Sequence, residues 1–404
     1  MIHMQQNSEM TAVSYLAGSE SIVDAMPRVP AKQVYDDAVI GFLNTVSEKL
    51  MKDPSNKAWP DVISFAFWIR KSALTQKKNS FAAEHKGPGV RTGKGVLFHI
   101  APSNVPVNFA YSLAVGALAG NCDIVRIPSK EFPQTQIVAK AFSEALDEHP
   151  DMRPYLAIVR YGHDKDLNDR FSAMADVRIV WGGDETIGEL RRSPLPPRST
   201  EITFADRYSI AVIDAEKYLD TDDKAGVARD FYNDTYYTDQ NACTSPRAVV
   251  WLGRNRKEAK ELFWQHLYDH VRKNYTYQDI QGVNKLTSAC LCASVQDCVL
   301  EEHSDNLIVR VSTGRLTREI MRFRDNSGFF IETDCDDIME LREVCDDKRC
   351  QTIGILGDKA VLEPLILSGI RGVDRVVPIG HTMDFDTVWD GYDLIGEFSR
   401  MIMI

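Results

Sequence analysis

The sequence has no excess of positive charge, since 47 lysines and arginines stand against 58 aspartates and glutamates, for a net charge of −11 in 404 residues. An acidic chain repels phosphate backbones, which argues against nucleic-acid binding as its main task. Cysteines are also few, eight in all with irregular spacing. A fold stabilised by disulfides is therefore not expected, and a reducing, cytoplasmic location is the expected one. The first ten residues are polar and lack the apolar stretch of a signal peptide.

Several motifs of common chemistry are missing. No G-x-G-x-x-G or G-x-x-x-x-G-K-[ST] loop is present, and only Gly182-Gly183 offers a glycine turn between a strand and a helix. A tight strand–helix turn is the alternative interpretation of that pair. No two cysteines have C-x2-C spacing, and His266 and His270 lie in HLYDH rather than H-E-x-x-H, so no metal site is predicted. Most of the cysteines are expected to act as small buried hydrophobic residues.

One long stretch, residues 103–122, carries no charged side chain. Twenty uncharged residues approach the length of a transmembrane helix. Pro106 opens the stretch, Asn108 lies inside it, and a strand pattern follows at once. The sequence therefore predicts a buried helix of an α/β layer and no membrane span.

Strand and helix patterns alternate along the first half of the chain. Short apolar runs predict strands at residues 95–100, 122–127, 156–160, 177–181 and 210–213, and amphipathic stretches between them predict helices. Before these strands, a single helix is predicted over residues 61–74. This alternation is typical of a parallel, doubly wound α/β sheet.

The regular alternation of short strand and helix patterns ends at about residue 214, and this change predicts a second α/β domain. We expect a cofactor-binding domain over residues 1–214, with residues 1–35 loosely ordered, and a catalytic domain over residues 215–380. The segment 381–404 is expected to return to the first domain or to form an oligomer interface.

Cys243 differs from the other cysteines because small polar residues surround it, in DQNACTSP, and it directly precedes the predicted strand 247–252. A cysteine at such a junction can have a lowered pKa and react as the thiolate. Asp239 would oppose this, whereas Arg247 or a helix N-terminus would favour it. A purely structural cysteine is the alternative.

Nine short segments carry a resemblance to known families. Four of them resemble, in the same order, the conserved turns of the aldehyde dehydrogenase superfamily. Five others resemble the acyl-CoA reductases of the LuxC type within it, the reductase component of bacterial fatty acid reductase. The superfamily segments are residues 99–106, 117–121, 126–130 and 180–183, and the LuxC segments are residues 64–71, 243–247, 349–352, 372–378 and 389–393.

The resemblance implies an aldehyde-dehydrogenase-like α/β fold, with a Rossmann-type cofactor domain and a second α/β catalytic domain. It implies that Cys243 attacks an acyl thioester and carries the acyl group. It also implies that the side-chain amide of Asn104 and the backbone N–H of Cys243 donate to the oxyanion. Capping of the following helix is an alternative role for Asn104.

The resemblance places Gly182 and Gly183 near the cofactor pyrophosphate. Lys130 stands where many NAD-dependent relatives have a glutamate that binds the adenosine ribose. With Arg126 and Ser129 nearby, a lysine attracts a 2′-phosphate, so NADPH is the expected cofactor. A solvated surface lysine is the alternative.

Two glutamates match the superfamily only in part. Glu201 begins EITFA, where hydrolytic relatives have E-L-G-G-K with a water-activating glutamate, so its role here is open. Glu343 could correspond to a glutamate that binds the cofactor ribose, although EVCD matches that motif poorly.

The resemblance therefore implies NADPH-dependent reduction of a fatty acyl thioester, acyl-CoA or acyl-enzyme, to the aldehyde. Two alternatives stay open: an acid-forming aldehyde dehydrogenase, and a non-catalytic scaffold for an acyl-protein synthetase. An acyl-protein synthetase partner and a homo-oligomer are expected by resemblance alone.

Overall fold

The computed structural model describes residues 13–85, 87–302, 304–323 and 325–404. The chain divides into two compact units. Unit 1 contains the residues up to Ala205 together with Tyr392–Ile404, and unit 2 is the continuous segment Asp206–Gly391.

The described residues form strands of two to seven residues and helices of four to nineteen residues. In chain order the strands are β1 (Ser14–Ala17), β2 (Gly89–Gly93), β3 (Val96–Ile100), β4 (Cys122–Ile127), β5 (Leu156–Arg160), β6 (Val177–Trp181), β7 (Thr200–Phe204), β8 (Tyr208–Asp214), β9 (Pro246–Leu252), β10 (Cys298–Leu300), β11 (Val309–Thr313), β12 (Phe329–Asp334), β13 (Cys350–Leu356), β14 (Arg375–Pro378), β15 (Val388–Trp389), β16 (Tyr392–Asp393) and β17 (Ser399–Met403). The helices are α1 (Glu20–Ala25), α2 (Asp37–Lys52), α3 (Pro60–Trp68), α4 (Lys71–Glu84), α5 (Asn108–Leu118), α6 (Pro133–Glu148), α7 (Lys165–Met174), α8 (Asp184–Leu190), α9 (Ala215–Asp220), α10 (Lys224–Asp234), α11 (Arg256–Asn274), α12 (Asp279–Val295), α13 (Arg342–Cys345), α14 (Glu363–Leu367) and α15 (Leu394–Phe398).

Unit 1 is built on a six-stranded sheet in the order β1-β5-β4-β3-β6-β7. Its strands pair in parallel except β1, which runs antiparallel to β5. Every residue of β3 and β6 is buried, as expected for strands covered by helices on both faces. Strands β2 and β17 form a separate antiparallel pair. In this pair Gly93 lies opposite Ser399, which is 306 positions later in the chain.

Unit 2 is built on a seven-stranded sheet in the order β10-β11-β12-β9-β8-β13-β14. Alternate residues of its strands enter two different apolar clusters: Ile210 and Val212 of β8 belong to one, and Ala211 and Ile213 to the other. Because successive side chains point to opposite faces of a sheet, both faces of this sheet are buried. The predicted doubly covered α/β sheet is thus present in this unit also.

Local sequence signals explain where several helices begin. The Asp36 side chain caps α2 by accepting from the backbone N–H of Ala38 at 2.9 Å, and Asp164 caps α7 by accepting from Leu167 at 3.0 Å. Pro133 occupies the first turn of α6, where its missing N–H costs nothing.

The uncharged stretch forms α5, whose residues from Phe109 on are all buried except Tyr111, which confirms the predicted buried helix. None of the helices in the described ranges is long and apolar enough to cross a bilayer.

The structure differs from the sequence analysis at three places. Residues 14–28 form β1, α1 and a 3-10 turn, so loose order over residues 1–35 is wrong for this part, while residues 1–12 lie outside the described residues. The single helix expected over residues 61–74 is two helices that break at Ile69 and Arg70. The strand at residues 210–213, assigned to the first domain, is β8 and lies in the sheet of unit 2.

Candidate active site

A strained loop carries Cys243 to the start of β9. The 3-10 turn Tyr236–Thr238 ends at Asp239 and Gln240, which both have left-handed backbone, with φ of 58° and 53°. The buried amide of Gln240 holds this conformation, since its Nε2 donates to the carbonyls of Pro246 and Phe329 at 3.0 and 3.2 Å. The loop is therefore anchored to two neighbouring strands of unit 2, β9 and β12. Positive φ in non-glycine residues is a form of strain found often at functional sites.

The carboxylate of Asp239 is engaged within this loop. It accepts hydrogen bonds from the hydroxyls of Tyr275 and Ser327, the latter at 3.1 Å. Asp239 is not among the groups that shift the pKa of the Cys243 thiol. The acid that raises this pKa is Asp390 instead.

The thiol of Cys243 is half-buried, and its backbone carbonyl accepts a hydrogen bond of 2.8 Å from the hydroxyl of Ser209. Burial raises the pKa of this thiol to about 11, and the charge of Asp390 adds to the rise. The side-chain amide of Gln351 and the positive charge of Arg207 act in the opposite direction. The lowered pKa that the sequence suggested for Cys243 is not found, because burial outweighs both favourable groups.

A polar cluster lies beside the thiol within unit 2 and consists of the buried Gln351 and Asp390 and the half-buried Arg207 and Asp374. Arg207 donates to the carboxylate of Asp374, and its Nη1 lies 3.6 Å from Oδ2 of Asp390. The Nε2 of Gln351 donates to Oδ1 of the same Asp390. Arg247, proposed to activate the thiol, instead donates to the backbone carbonyl of Arg207 at 3.1 Å.

The sequence analysis assigned no role to these four residues. Three of them lie in segments that carry the resemblance, RCQT, GVDRVVP and WDGYD, which was the signal that could have identified them. Arg207 lies in a turn before β8, where no local pattern marked it.

An open cavity of about 630 Å³ adjoins this region and is lined by residues of unit 2. Its wall includes Arg375, whose pKa responds to the charge of Cys243. Val377, Phe385 and Val388 contribute apolar surface. Asp384 and Asp386 also line the cavity and offset the charge of Arg375, so the feature of this cavity that suits a ligand is its apolar surface, which fits a hydrocarbon part.

The other cysteines differ in exposure. The prediction that they are buried hydrophobic residues is wrong for Cys290, which is exposed, and for Cys298, which is half-buried. The five buried thiols are Cys122, Cys292, Cys335, Cys345 and Cys350.

The predicted cofactor residues of unit 1 gather at one edge of its sheet. β4, β3 and β6 are neighbouring parallel strands, so their carboxyl ends meet at the same edge. Ser129 and Lys130 follow β4, Asn104 follows β3, and Gly182-Gly183 follow β6. Ligands of doubly wound sheets bind at this edge. Asn104 is exposed and does not cap α5, whose N-cap is Val107, so its alternative role as the helix cap is not found.

Positive charge marks the end of β4. Arg126 stacks on the ring of Tyr161 at 4.7 Å and donates to the carbonyl of Gly162 at 3.0 Å, while its buried Nε has no hydrogen-bond partner. Lys130 is exposed, with its Nζ 4.8 Å from the ring of Phe132, and no carboxylate in the described part of the chain pairs with it. The arrangement fits an anionic group such as a nucleotide phosphate.

Gly182, in the turn after β6, lies close to a side chain of α8. A Cβ on Gly182 would lie 3.2 Å from the Thr186 side chain, so this position favours glycine. Asp184 and Glu185 occupy the first turn of α8, and their charges oppose a phosphate there. An anion at this edge would therefore be attracted from the β4 side and repelled from the α8 side.

Glu201 lies near the start of β7, opposite Arg178 of β6 and hence away from the carboxyl edge. The buried Arg178 donates to it through Nε at 2.9 Å, and Arg191 donates through Nε at 2.8 Å. Its carboxylate is thus an ion-pair acceptor within unit 1.

Glu343 lies on α13 of unit 2, where it is exposed. Its Oε1 accepts from the backbone N–H of Arg318 at 3.0 Å, and its carbonyl accepts from the Arg318 side chain. Through these contacts Glu343 links α13 to Arg318.

The family model described as acyl-CoA reductase (LuxC) matches residues 71–401. The chain belongs to this family. The resemblance to the acyl-CoA reductases of the LuxC type is thereby confirmed.

The similar proteins include two that are named long-chain acyl-protein thioester reductase. The protein of Aliivibrio fischeri is 30% identical over 164 residues, which cover 40% of this chain and 33% of that protein. The protein of Photorhabdus luminescens is 23% identical over 316 residues, 76% of this chain and 63% of that protein. The chain thus spans less than two thirds of the length of these relatives.

Solved structures show the fold of this LuxC protein. A 1-pyrroline-5-carboxylate dehydrogenase from Thermus with bound NAD has a TM-score of 0.62 at 13% identity, covering 96% of this chain and 86% of that chain. An NAD-dependent benzaldehyde dehydrogenase from Corynebacterium glutamicum has a TM-score of 0.61 at 15% identity, covering 98% and 94%. These likenesses confirm the predicted aldehyde-dehydrogenase fold.

Proposed function

We propose that this protein reduces a fatty acyl thioester, acyl-CoA or acyl-enzyme, to the aldehyde with NADPH, through an acyl group carried on Cys243. The observation that carries the proposal is the setting of Cys243 in a LuxC-family chain. Among the eight cysteines of the described residues, it is the one held in a loop with left-handed backbone beside this polar cluster.

Acyl transfer requires a nucleophile and a stabilised oxyanion. The sulfur of Cys243 forms a bond to the carbonyl carbon, the bond from that carbon to the donor sulfur breaks, and the donor leaves as a thiol with the proton of Cys243. We assign the side chain of Asn104 and the backbone N–H of Cys243 as oxyanion donors. Each such donor lowers the barrier by about 3 kcal/mol.

NADPH, when bound, supplies the hydride that reduces the acyl group. Within unit 1, Arg126, Ser129 and Lys130 would bind its adenosine 2′-phosphate, and the backbone of Gly182 and Gly183 would approach its pyrophosphate. The unpartnered Nε of Arg126 and the exposed Lys130 support this fit.

An aldehyde product requires that water does not attack the acyl enzyme. The carboxylate of Glu201 is bound by Arg178 and Arg191, so it is not free to act as a general base. This observation favours thioester reduction over the acid-forming alternative. Glu343 has a local structural explanation and is assigned no part in the reaction.

The cavity beside Arg375 is the proposed site for the acyl chain of the thioester, because Val377, Phe385 and Val388 give it apolar walls. A partner of the acyl-protein synthetase kind and a homo-oligomer belong to the same proposal, on the strength of the family alone.

The test is mass spectrometry of the intact protein after incubation with palmitoyl-CoA, followed by addition of NADPH. We expect one acyl adduct, located at Cys243 by peptide mapping, which disappears as aldehyde forms. The Cys243→Ala variant should form neither adduct nor aldehyde, whereas Cys290→Ala, which removes an exposed thiol, should behave as the wild type.

Three results would contradict the proposal in different ways. Aldehyde from Cys243→Ala would remove the covalent step. The absence of an adduct on the wild type would favour a scaffold. Release of the free acid rather than the aldehyde would favour the hydrolytic alternative.

A further inference from the structure

Asp390 is a buried acid in an uncommon backbone conformation next to the nucleophile. The residue is 9% exposed, and its φ of +50° is followed by a φ of +76° at Gly391. Two successive left-handed residues direct the carboxylate inward, where it meets Gln351 and Arg207. A strained backbone that carries a buried charge persists only where its surroundings hold it in place.

We propose that Asp390 is a positioning residue for Cys243, which orients the side-chain amide of Gln351 toward the thiol and competes with the thiolate for the positive charge of Arg207. The proposal rests on the proposed function, since it concerns how the nucleophile of that reaction becomes reactive.

Orientation comes from the hydrogen bond between Nε2 of Gln351 and Oδ1 of Asp390. Gln351 is fully buried on β13, and its amide is also a hydrogen-bond partner of the Cys243 thiol. An amide nitrogen has two N–H groups, so when a fixed carboxylate accepts from one of them the other keeps a constant direction toward the thiol.

Competition follows from the charges around the thiol. Arg207, from the loop before β8, and Arg375, from β14, are the cations that interact with Cys243, and Asp390 is the acid that does. Further acids already act on these two cations: Asp374 on Arg207, and Asp384 and Asp386 on Arg375. Carboxylates thus outnumber the two cations, and a Cys243 thiolate would be one more anion. Because unpaired buried charge is costly, the thiolate is favoured when Asp390 is protonated and disfavoured when it is ionised.

This arrangement has a consequence for the resting enzyme. Burial raises the pKa of Asp390, and Arg207 and Gln351 act in the opposite direction. In its ionised form Asp390 keeps the proton on Cys243, which protects the sulfur from oxidation and adventitious alkylation. Attack on a thioester transfers that proton to the departing donor sulfur, so no ion is left unbalanced in the cluster.

The test is the pH dependence of Cys243 alkylation by iodoacetamide, followed by peptide mass spectrometry in wild type and Asp390→Asn. Asparagine has the same shape, accepts the Gln351 hydrogen bond and tolerates positive φ, so the change removes mainly the charge. We expect the midpoint of the alkylation profile to move down by about one pH unit, which gives roughly tenfold faster alkylation at pH 8.

Matched variants separate charge from orientation. Gln351→Ala should move the midpoint up, because it removes a partner of the thiolate, and Asp390→Glu, which keeps the charge, should stay near the wild-type profile. Asp336→Asn, which neutralises an exposed acid paired with Arg256, is the control and should leave the profile unchanged.

An Asp390→Asn profile equal to that of the wild type would overturn the proposal, as would an equal shift in the Asp336→Asn control. If Asp390→Asn does not fold, the upward shift of Gln351→Ala decides the question, and a Gln351→Ala profile without that shift refutes it. Alkylation needs neither acyl-CoA nor NADPH, so this result is separate from the success or failure of the proposed reaction.

Discussion

The guanidinium of Arg178 donates through both Nε and Nη2 to a single carboxylate oxygen of Glu201, directly across the pair formed by β6 and β7. Arg178 is buried, and the remaining donor contacts go to Ser172 and to the carbonyl of Ser193. Glu201 therefore serves as the counter-ion of a buried arginine.

We expect Glu201→Gln to lower the free energy of unfolding by about 2–3 kcal/mol, because it leaves the charge of Arg178 uncompensated. Thioester reduction by the folded variant should stay within twofold of wild type. Urea unfolding and an aldehyde assay measure the two effects. A water-activating glutamate would give the reverse pattern, with normal stability and a lost hydrolytic reaction.

The proposed oxyanion donor makes a second prediction. Asn104→Ala should lower kcat for aldehyde formation by about a hundredfold to a thousandfold and leave KM for acyl-CoA nearly unchanged, since the donor acts on charge that develops in the transition state. Ser103→Ala, at the exposed neighbouring position, is the control and should retain full activity. A rise in KM alone would assign Asn104 to substrate binding instead.

Cofactor choice should depend on the charge at residue 130. Lys130→Glu replaces an attractive charge by a repulsive one at the proposed 2′-phosphate site, so the KM for NADPH should rise about tenfold to a hundredfold while that for NADH changes little. Lys140→Glu makes the same charge change on an exposed face of α6. Equal effects of the two variants would indicate a general electrostatic effect rather than a phosphate site.

The buried Lys285 of α12 makes a prediction about pH. Burial lowers its pKa from 10.5 to about 8, although Asp325, Asp239 and Asp305 act in the opposite direction. Between these two values the unfolded chain binds more protons than the folded one, so the contribution of this group to stability rises as the pH increases from about 8 to 10.5.

Urea unfolding of wild type and Lys285→Met across this pH range isolates that contribution. The difference in unfolding free energy should change in favour of the wild type by up to about 3 kcal/mol as the pH increases. The hydrogen bond from Lys285 to the carbonyl of Asn306 adds only a constant offset. A difference that does not change with pH would show that the lysine stays charged when folded.

The strands of unit 1 were predictable because the signal for each of them lies within a short segment of sequence. A strand covered on both faces is an unbroken apolar run, and the predicted bounds of β4, β5 and β6 match those of the structure. The break between α3 and α4 was missed because Ile69 and Arg70 carry no proline or glycine to mark it.

What escaped prediction depends on distant parts of the chain or on weak patterns. α12 shows no clear apolar face, since Ile280, Val283 and Leu286 are exposed while Lys285 is buried. The cluster around Cys243 draws its members from segments up to 183 residues apart, between Arg207 and Asp390, so no local spacing could reveal it.

The candidate site was predicted in outline. The sequence singled out Cys243 and the carboxyl edge residues of unit 1, whose roles stay predictions. It did not indicate that burial would raise the thiol pKa, because that depends on tertiary packing.

The pairing of β17 with β2 has a bearing on how the chain folds during translation. β2 receives this partner only after all of residues 206–391 have been synthesised. Unit 2 is a continuous segment and can form its core as it leaves the ribosome. In unit 1, by contrast, β2 has no β17 to pair with until the last strand emerges. Cys243 would then lie in a folded unit before unit 1 is complete.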